Sequence, residues 1–149
     1  MRTVLLISVL LCACTGYGAK KDAAAPAALT TADVTGTYTG STMAGMTDSV
    51  ISTWTAWVTT NAGGGLEGKI VNHAAPNDTV TFTQTISGDS VTSKSVAYTD
   101  PMAPKGTPQL QWLSVAHGTG NDWTGSLAIM IAGSDSVIQR AHWKGTRTP

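Results

Sequence analysis

From residue 34 onwards, hydrophobic and polar residues alternate with a period of two, which is the pattern of a β-strand with one buried face. The stretch Thr79–Ile86 is the clearest case, because Thr occupies one face while Val80, Phe82 and Gln84 lie on the other. Helical periodicity is absent from this part of the chain. The alternation predicts eight strands, at about residues 34–41, 49–60, 65–72, 78–86, 90–98, 109–117, 122–132 and 136–146.

The same pattern assigns side chains to faces in other strands. In Val50–Val58 it turns Trp54 and Ala56 inwards and Trp57 outwards. In Trp123–Ile131 it places Trp123, together with the alternate apolar residues that follow it, on the inner side. Between residues 91 and 98 the alternation slips, which predicts a β-bulge and makes the register ambiguous there.

The segments between the strands have the composition of hairpin connections. Asn61–Gly65 and Gly118–Asp122 are rich in Gly and Asn, and Ser87–Asp89 and Gly133–Asp135 are shorter turns. Thr99–Pro108 contains three Pro and is predicted to be a rim loop, since Pro cannot join a central ladder. Short antiparallel strands with hairpin links predict an all-β domain, a single eight-stranded up-and-down barrel, with a two-sheet β-sandwich as the alternative.

The predicted inner face mixes aromatic and polar side chains. Small barrels either are filled by side chains or enclose one small ligand, and a ligand cavity is mostly apolar with a few polar groups that fix orientation. A filled barrel whose polar residues bond one another remains the alternative at this stage. The residues predicted to face the interior and to bind a ligand there are Tyr38, Trp54, Gln84, Trp112, Ser114, Trp123, Gln139 and Trp143.

The N-terminus has the composition of an export signal. Met1-Arg2 provides a positive charge, and Val4–Leu11 is an apolar run about half as long as the roughly 20 residues that span a bilayer. The sequence Leu11-Cys12-Ala13-Cys14 resembles the lipobox of bacterial lipoproteins. This resemblance implies a signal peptide at 1–13 and a lipidated tether at 14–32, followed by the β-barrel domain at 33–149.

If the resemblance holds, Cys14 receives diacylglycerol and an N-acyl chain such as palmitate, and the partner of the chain is a membrane. Residue 15 is Thr rather than the Asp that often retains lipoproteins in the inner membrane, so the outer membrane is the expected location. The alternative is an ordinary secretory signal cut near Ala13 or Ala19, which would leave a soluble periplasmic or secreted protein.

The opening of the first strand, Val34-Thr-Gly36-Thr-Tyr38-Thr-Gly40, resembles the Gly-x-aromatic opening of lipocalin and avidin-type (calycin) barrels. The late Trp143 also matches the position of a Trp on the closing strand of avidin-like chains. The resemblance implies a barrel that holds a small molecule. The residues with which avidins hold biotin are not recognisable, so it implies no biotin site.

Composition excludes several classes of function. Nine basic and nine acidic side chains balance, so no charged field indicates nucleic acid. Asp residues fall mostly in turns, and no nucleophile elbow or phosphate-binding Gly motif is present. His73, His117 and His142 have no ligand spacing and are interpreted as surface residues. We therefore predict a non-enzymatic protein without metal or cofactor, of undetermined oligomeric state.

Two main hypotheses about function follow from these patterns, and a third, an envelope enzyme or metal site that uses His73 or His117, is the least favoured. The first is a membrane-anchored envelope lipoprotein whose barrel interior binds a small apolar or amphipathic ligand. The second is a structural or interaction lipoprotein with a filled core that binds protein partners through its outer face or the Thr99–Pro108 loop.

Overall fold

The computed structural model describes residues 27–45 and 47–149, and in this part of the chain eight antiparallel strands form a closed barrel. Each strand pairs with its neighbours in sequence, and the last strand pairs with the first. The predicted up-and-down barrel is therefore confirmed, and the β-sandwich alternative is wrong. The elements are α1 (Thr31–Val34), β1 (Gly36–Ala44), β2 (Val50–Thr60), β3 (Leu66–Asn72), β4 (Thr79–Ser87), β5 (Ser90–Ser95), β6 (Leu110–Thr119), β7 (Asp122–Ile131) and β8 (Val137–Thr148).

The alternation read from the sequence matches the burial of the strands. In β2, Trp54 and Ala56 are buried and Trp57 is 44% exposed. In β4, Phe82 is buried while the Thr residues on either side of it are exposed. These faces are fixed because a register slip of one residue would turn every apolar side chain of a strand towards solvent.

The predicted bulge lies at the end of β5. Lys94 pairs with Leu113 and Tyr98 pairs with Leu110, so four steps along one strand face three along the other. Ser95, within the bulge, bonds across the gap, because its Oγ accepts a hydrogen bond of 2.9 Å from the backbone N–H of Trp112. The slip in the alternation thus reports a real irregularity of the ladder.

One end of the barrel, which we call the floor, is closed by α1 and the residues before it. Val34 is fully buried, and Leu29 packs against the core while its N–H donates to the carbonyl of Gly88. The Arg147 guanidinium, at the end of β8, donates to the carbonyls of Ala32 and Thr35. The opposite end, the mouth, is surrounded by the connections at 45–49, 73–78, 96–109 and 132–136.

The helical turn α1 was not predicted. It is four residues long, too short to show a hydrophobic period, and is closed by Asp33, whose carboxylate accepts from both the backbone N–H and the hydroxyl of Thr30. The end of the predicted tether therefore packs on the barrel instead of leaving it. The predicted signal peptide, Cys14 and the tether up to residue 26 lie outside the described residues. Among the described helices, none is long and apolar enough to cross a membrane.

Candidate functional site

The barrel encloses a cavity of about 720 Å³ that extends from the floor to the mouth. This volume lies within the range of small-molecule sites, roughly 300–1,000 Å³. Gln139 does not line the cavity: it pairs with Ile129 near the mouth, where it is exposed. The other seven residues predicted to face the interior do line it, namely Tyr38, Trp54, Gln84, Trp112, Ser114, Trp123 and Trp143.

The floor of the cavity is built around Tyr38 and Trp123. Their rings meet edge to face at a centroid distance of 5.9 Å, and both side chains are buried. The Tyr38 hydroxyl donates a hydrogen bond to the carbonyl of Val34 in α1. Burial raises the pKa of Tyr38 to about 12, although the charge of Arg147 acts in the opposite direction. Tyr38 thus remains a neutral donor that ties α1 to the barrel.

Four inward-facing glycines each lie directly opposite an aromatic residue on the neighbouring strand. A Cβ at any of these glycines would overlap the facing ring, so the missing side chains let the rings lie flat against the wall. At Gly40, for example, the Cβ would lie 2.6 Å from the indole of Trp54. The pairs are Gly40 with Trp54, Gly68 with Phe82, Gly118 with Trp123, and Gly125 with Trp143.

A belt of polar side chains crosses the wall at middle depth. The Nε1–H of Trp143 donates to the Oγ of Ser114 at 2.8 Å, and the Nε2–H of Gln84 donates to the Oγ of Ser93 at 3.0 Å. Ser93 and Ser114 face each other across β5 and β6. The belt therefore joins strands β4, β5, β6 and β8 within an otherwise apolar wall.

Two buried polar atoms in the described part of the chain have no hydrogen-bond partner. They are the Oε1 of Gln84, in the belt, and the Nε1 of Trp123, at the floor. Buried polar groups are nearly always paired, by protein or by an ordered molecule, so each such atom requires an explanation. Both residues line the cavity, but neither of these two atoms presents accessible surface to it, so both atoms are packed within the wall.

The mouth brings together residues that the sequence analysis did not single out. Three residues of the 96–109 connection line the cavity, namely Tyr98, Asp100 and Met102. Asp78, the last residue of the 73–78 connection before β4, lines it as well. Burial, and secondarily the negative charge of Asp100, raises the pKa of Tyr98. The rim loop and the slip in the alternation before it were both visible in the sequence. Which side chains of the loop turn inwards, however, depends on the bulge.

The mouth is also rimmed by exposed apolar side chains. Of the nine large hydrophobic residues that are exposed in the described part of the chain, six lie at this end and three on the outer wall. Exposed apolar clusters of this kind mark binding surfaces more often than chance. The six residues at the mouth are Val50, Ile51, Val96, Met102, Val137 and Ile138.

The three histidines lie outside the cavity. His73 bridges two neighbouring threonines, since its Nδ1 is 3.0 Å from Thr53 Oγ1 and its Nε2 is 3.0 Å from Thr55 Oγ1. His117 and His142 each lie 4.0 Å from one exposed Asp carboxylate. Within residues 27–45 and 47–149, no three metal-ligating side chains come together.

Comparison with protein-family models, with curated proteins and with solved structures gives no match to this chain.

Proposed function

We propose that the barrel is a non-enzymatic binding module that holds one small apolar or amphipathic molecule in its cavity. The observation that carries the proposal is a cavity of about 720 Å³ that is lined by aromatic rings and by a belt of polar side chains. A filled barrel would have used this space for side chains. The four glycines that face aromatic residues let those rings lie against the wall, which keeps the space open.

The composition of the wall supports the same function. Indole rings provide large apolar contact areas, and the polar belt offers a few fixed hydrogen-bonding groups. Small-molecule sites usually combine these two kinds of lining. Trp54 and Trp143 meet edge to face at 5.6 Å, and Phe82 meets Trp112 at 5.3 Å, so the rings brace one another around the cavity. A ligand would therefore enter a largely pre-formed site.

We further propose that the module is anchored in the bacterial cell envelope through lipid on Cys14, at the outer membrane. The lipobox-like sequence Leu11-Cys12-Ala13-Cys14 supports this location. Lipid attached to Cys14 would hold the barrel at the membrane surface while the cavity remains accessible from its mouth.

Native mass spectrometry of the full chain, purified from its host, tests the binding function. We expect an adduct of small-molecule mass that is lost on denaturation. Val80→Trp, which places an indole in the cavity near the mouth, should abolish the adduct, whereas Thr81→Trp on the outer face of the same strand should retain it. A bare mass for the wild-type chain, with no small molecule taken up on incubation, would contradict the proposal.

A second candidate function is an interaction lipoprotein that binds protein partners through its outer wall. Leu113 and Val115 on β6, together with Trp57 on β2, are exposed apolar residues of that wall. Replacing Leu113 and Val115 by Ser should weaken the binding of such protein partners while leaving small-molecule uptake unchanged. This result would separate the two functions.

A further inference from the structure

The charges that line the cavity are all of one sign and all lie at the mouth. Among the described residues, Asp78 and Asp100 are the only charged side chains of the lining, and no Lys, Arg or His contributes to it. Neither carboxylate takes part in an ion pair in the described part of the chain. An anion in the cavity would thus be desolvated without a partner, which is strongly unfavourable.

The polar belt does not select for the charge of the ligand. The indole N–H groups of Trp54 and Trp143 are donated to Thr42 and Ser114, and the Nε2–H of Gln84 is donated to Ser93. The two serine hydroxyls accept these hydrogens, so their own O–H groups can still donate to a ligand. The sign of the polar end is therefore set at the mouth, by the two carboxylates.

The field of Asp100 reaches into the apolar part of the mouth. Its Oδ1 accepts a hydrogen bond of 2.9 Å from the backbone N–H of Met102, which fixes the carboxylate in the loop. The same charge contributes to raising the pKa of the half-buried Tyr98 next to it. The rings of Tyr98 and Trp112 also line the cavity, and aromatic rings attract cations.

We infer that the cavity selects amphiphiles with a cationic polar end, which lies at the mouth near Asp78 and Asp100 while the apolar body lies among the aromatic rings. The corresponding carboxylates bind more weakly. This assignment of ligand class rests on the proposed binding function, and it adds the sign of the polar group and the direction in which the molecule is inserted.

The test uses three amphiphiles that share one alkyl chain: decylamine, decanol and decanoate. At neutral pH the amine is a cation and decanoate an anion. Binding to the full chain carrying Cys14→Ser, which has no attached lipid, is followed by tryptophan fluorescence and native mass spectrometry in detergent-free buffer. We expect affinity to fall from decylamine to decanol to decanoate, with at least about a tenfold difference between the amine and the carboxylate.

The double variant Asp78→Asn/Asp100→Asn should bring the amine and the carboxylate close to equal affinity. Asp135→Asn is the matched control, because Asp135 lies in a connection at the mouth but does not line the cavity, and it should leave the order unchanged. A wild-type chain that binds decanoate as tightly as decylamine would overturn the ligand class but keep the binding function. A folded chain that binds none of the three would overturn both, and a preference that survives in the double variant would overturn the role of the two carboxylates.

Discussion

Gly125 and Trp143 face each other across β7 and β8, and the indole ring lies where a side chain at residue 125 would be. A Cβ on Gly125 would lie 2.5 Å from the Nε1 of Trp143. The same Nε1 donates its hydrogen to Ser114 on β6, the strand beyond β7. The absence of a side chain at residue 125 therefore lets one ring reach across a strand and join three strands.

Gly125→Ala should destabilise the fold by about 1–3 kcal/mol, because the added methyl group meets a braced ring rather than the free end of a flexible side chain. Urea unfolding measures this loss. Gly63→Ala, in the loop between β2 and β3, is the control, since the nearest atom to its Cβ would be 3.5 Å away. Equal stability of the two variants would mean that Trp143 does not lie against Gly125.

Trp123→Ala should destabilise the fold by about 3–5 kcal/mol, as expected for a large truncation in a packed core. Trp123 is 3% exposed and packs against Tyr38 at the floor. The matched variant is Trp57→Ala, which removes an indole that is 44% exposed on the outer wall and should cost far less. A near-zero change for Trp123→Ala in chemical denaturation would place this ring in solvent.

Tyr38→Phe should cost about 1 kcal/mol at neutral pH, because the hydrogen bond to Val34 is lost. The pKa of Tyr38 is raised from 10.0 to about 12, so the unfolded chain ionises first as the pH rises. The stability that follows from this shift is present below pH 10 and is lost between pH 10 and about 12.

Unfolding free energies measured across this alkaline range check the prediction. The wild-type barrel should lose stability more steeply than Tyr38→Phe. Both proteins are best compared in a Tyr98→Phe background, because the pKa of Tyr98 is raised as well. If the unfolding free energies of the two proteins fell in parallel as the pH rises, Tyr38 would not titrate with a raised pKa.

Cys14→Ser should leave the barrel folded but move the protein from the membrane fraction to the soluble fraction. Acyl chains contribute about 0.8 kcal/mol per buried CH₂, so their loss removes the anchor. Cys12→Ser is the control, because residue 12 lies within the predicted signal peptide and should not affect lipidation. Retention of the Cys14→Ser protein in the membrane fraction would contradict the anchor.

The strands and their inner faces could be predicted because alternation is a local property of the chain. In Thr79–Ile86 each pair of neighbours reports which side is buried, and eight such segments with short links favoured the barrel over the two-sheet sandwich. Even the bulge was visible, as a slip in the same pattern near Ser95. Closure through the pairing of β1 with β8, which decides between the barrel and the sandwich, is a long-range contact that the alternation does not report.

Other features depend on which residues meet across strands, and the local pattern of hydrophobic and polar residues does not report that. The open cavity requires each inward glycine to face an aromatic ring, as Gly68 faces Phe82, and this depends on register. The inward role of Asp100 depends on the path of the loop after the bulge. Gln139 has the inward parity, but it lies near the end of a strand where the wall opens to solvent.

The pairing of β1 with β8 has a further consequence for how the chain can be connected. Thr37 lies opposite Thr148, and α1 lies at the same end of the barrel as the last residues of β8. A short peptide linking residue 149 to residue 27, with new termini at Gly63–Gly64, would preserve all eight strand pairs. The barrel should therefore form whichever strand is synthesised first, and a circularly permuted chain should fold to the same cavity.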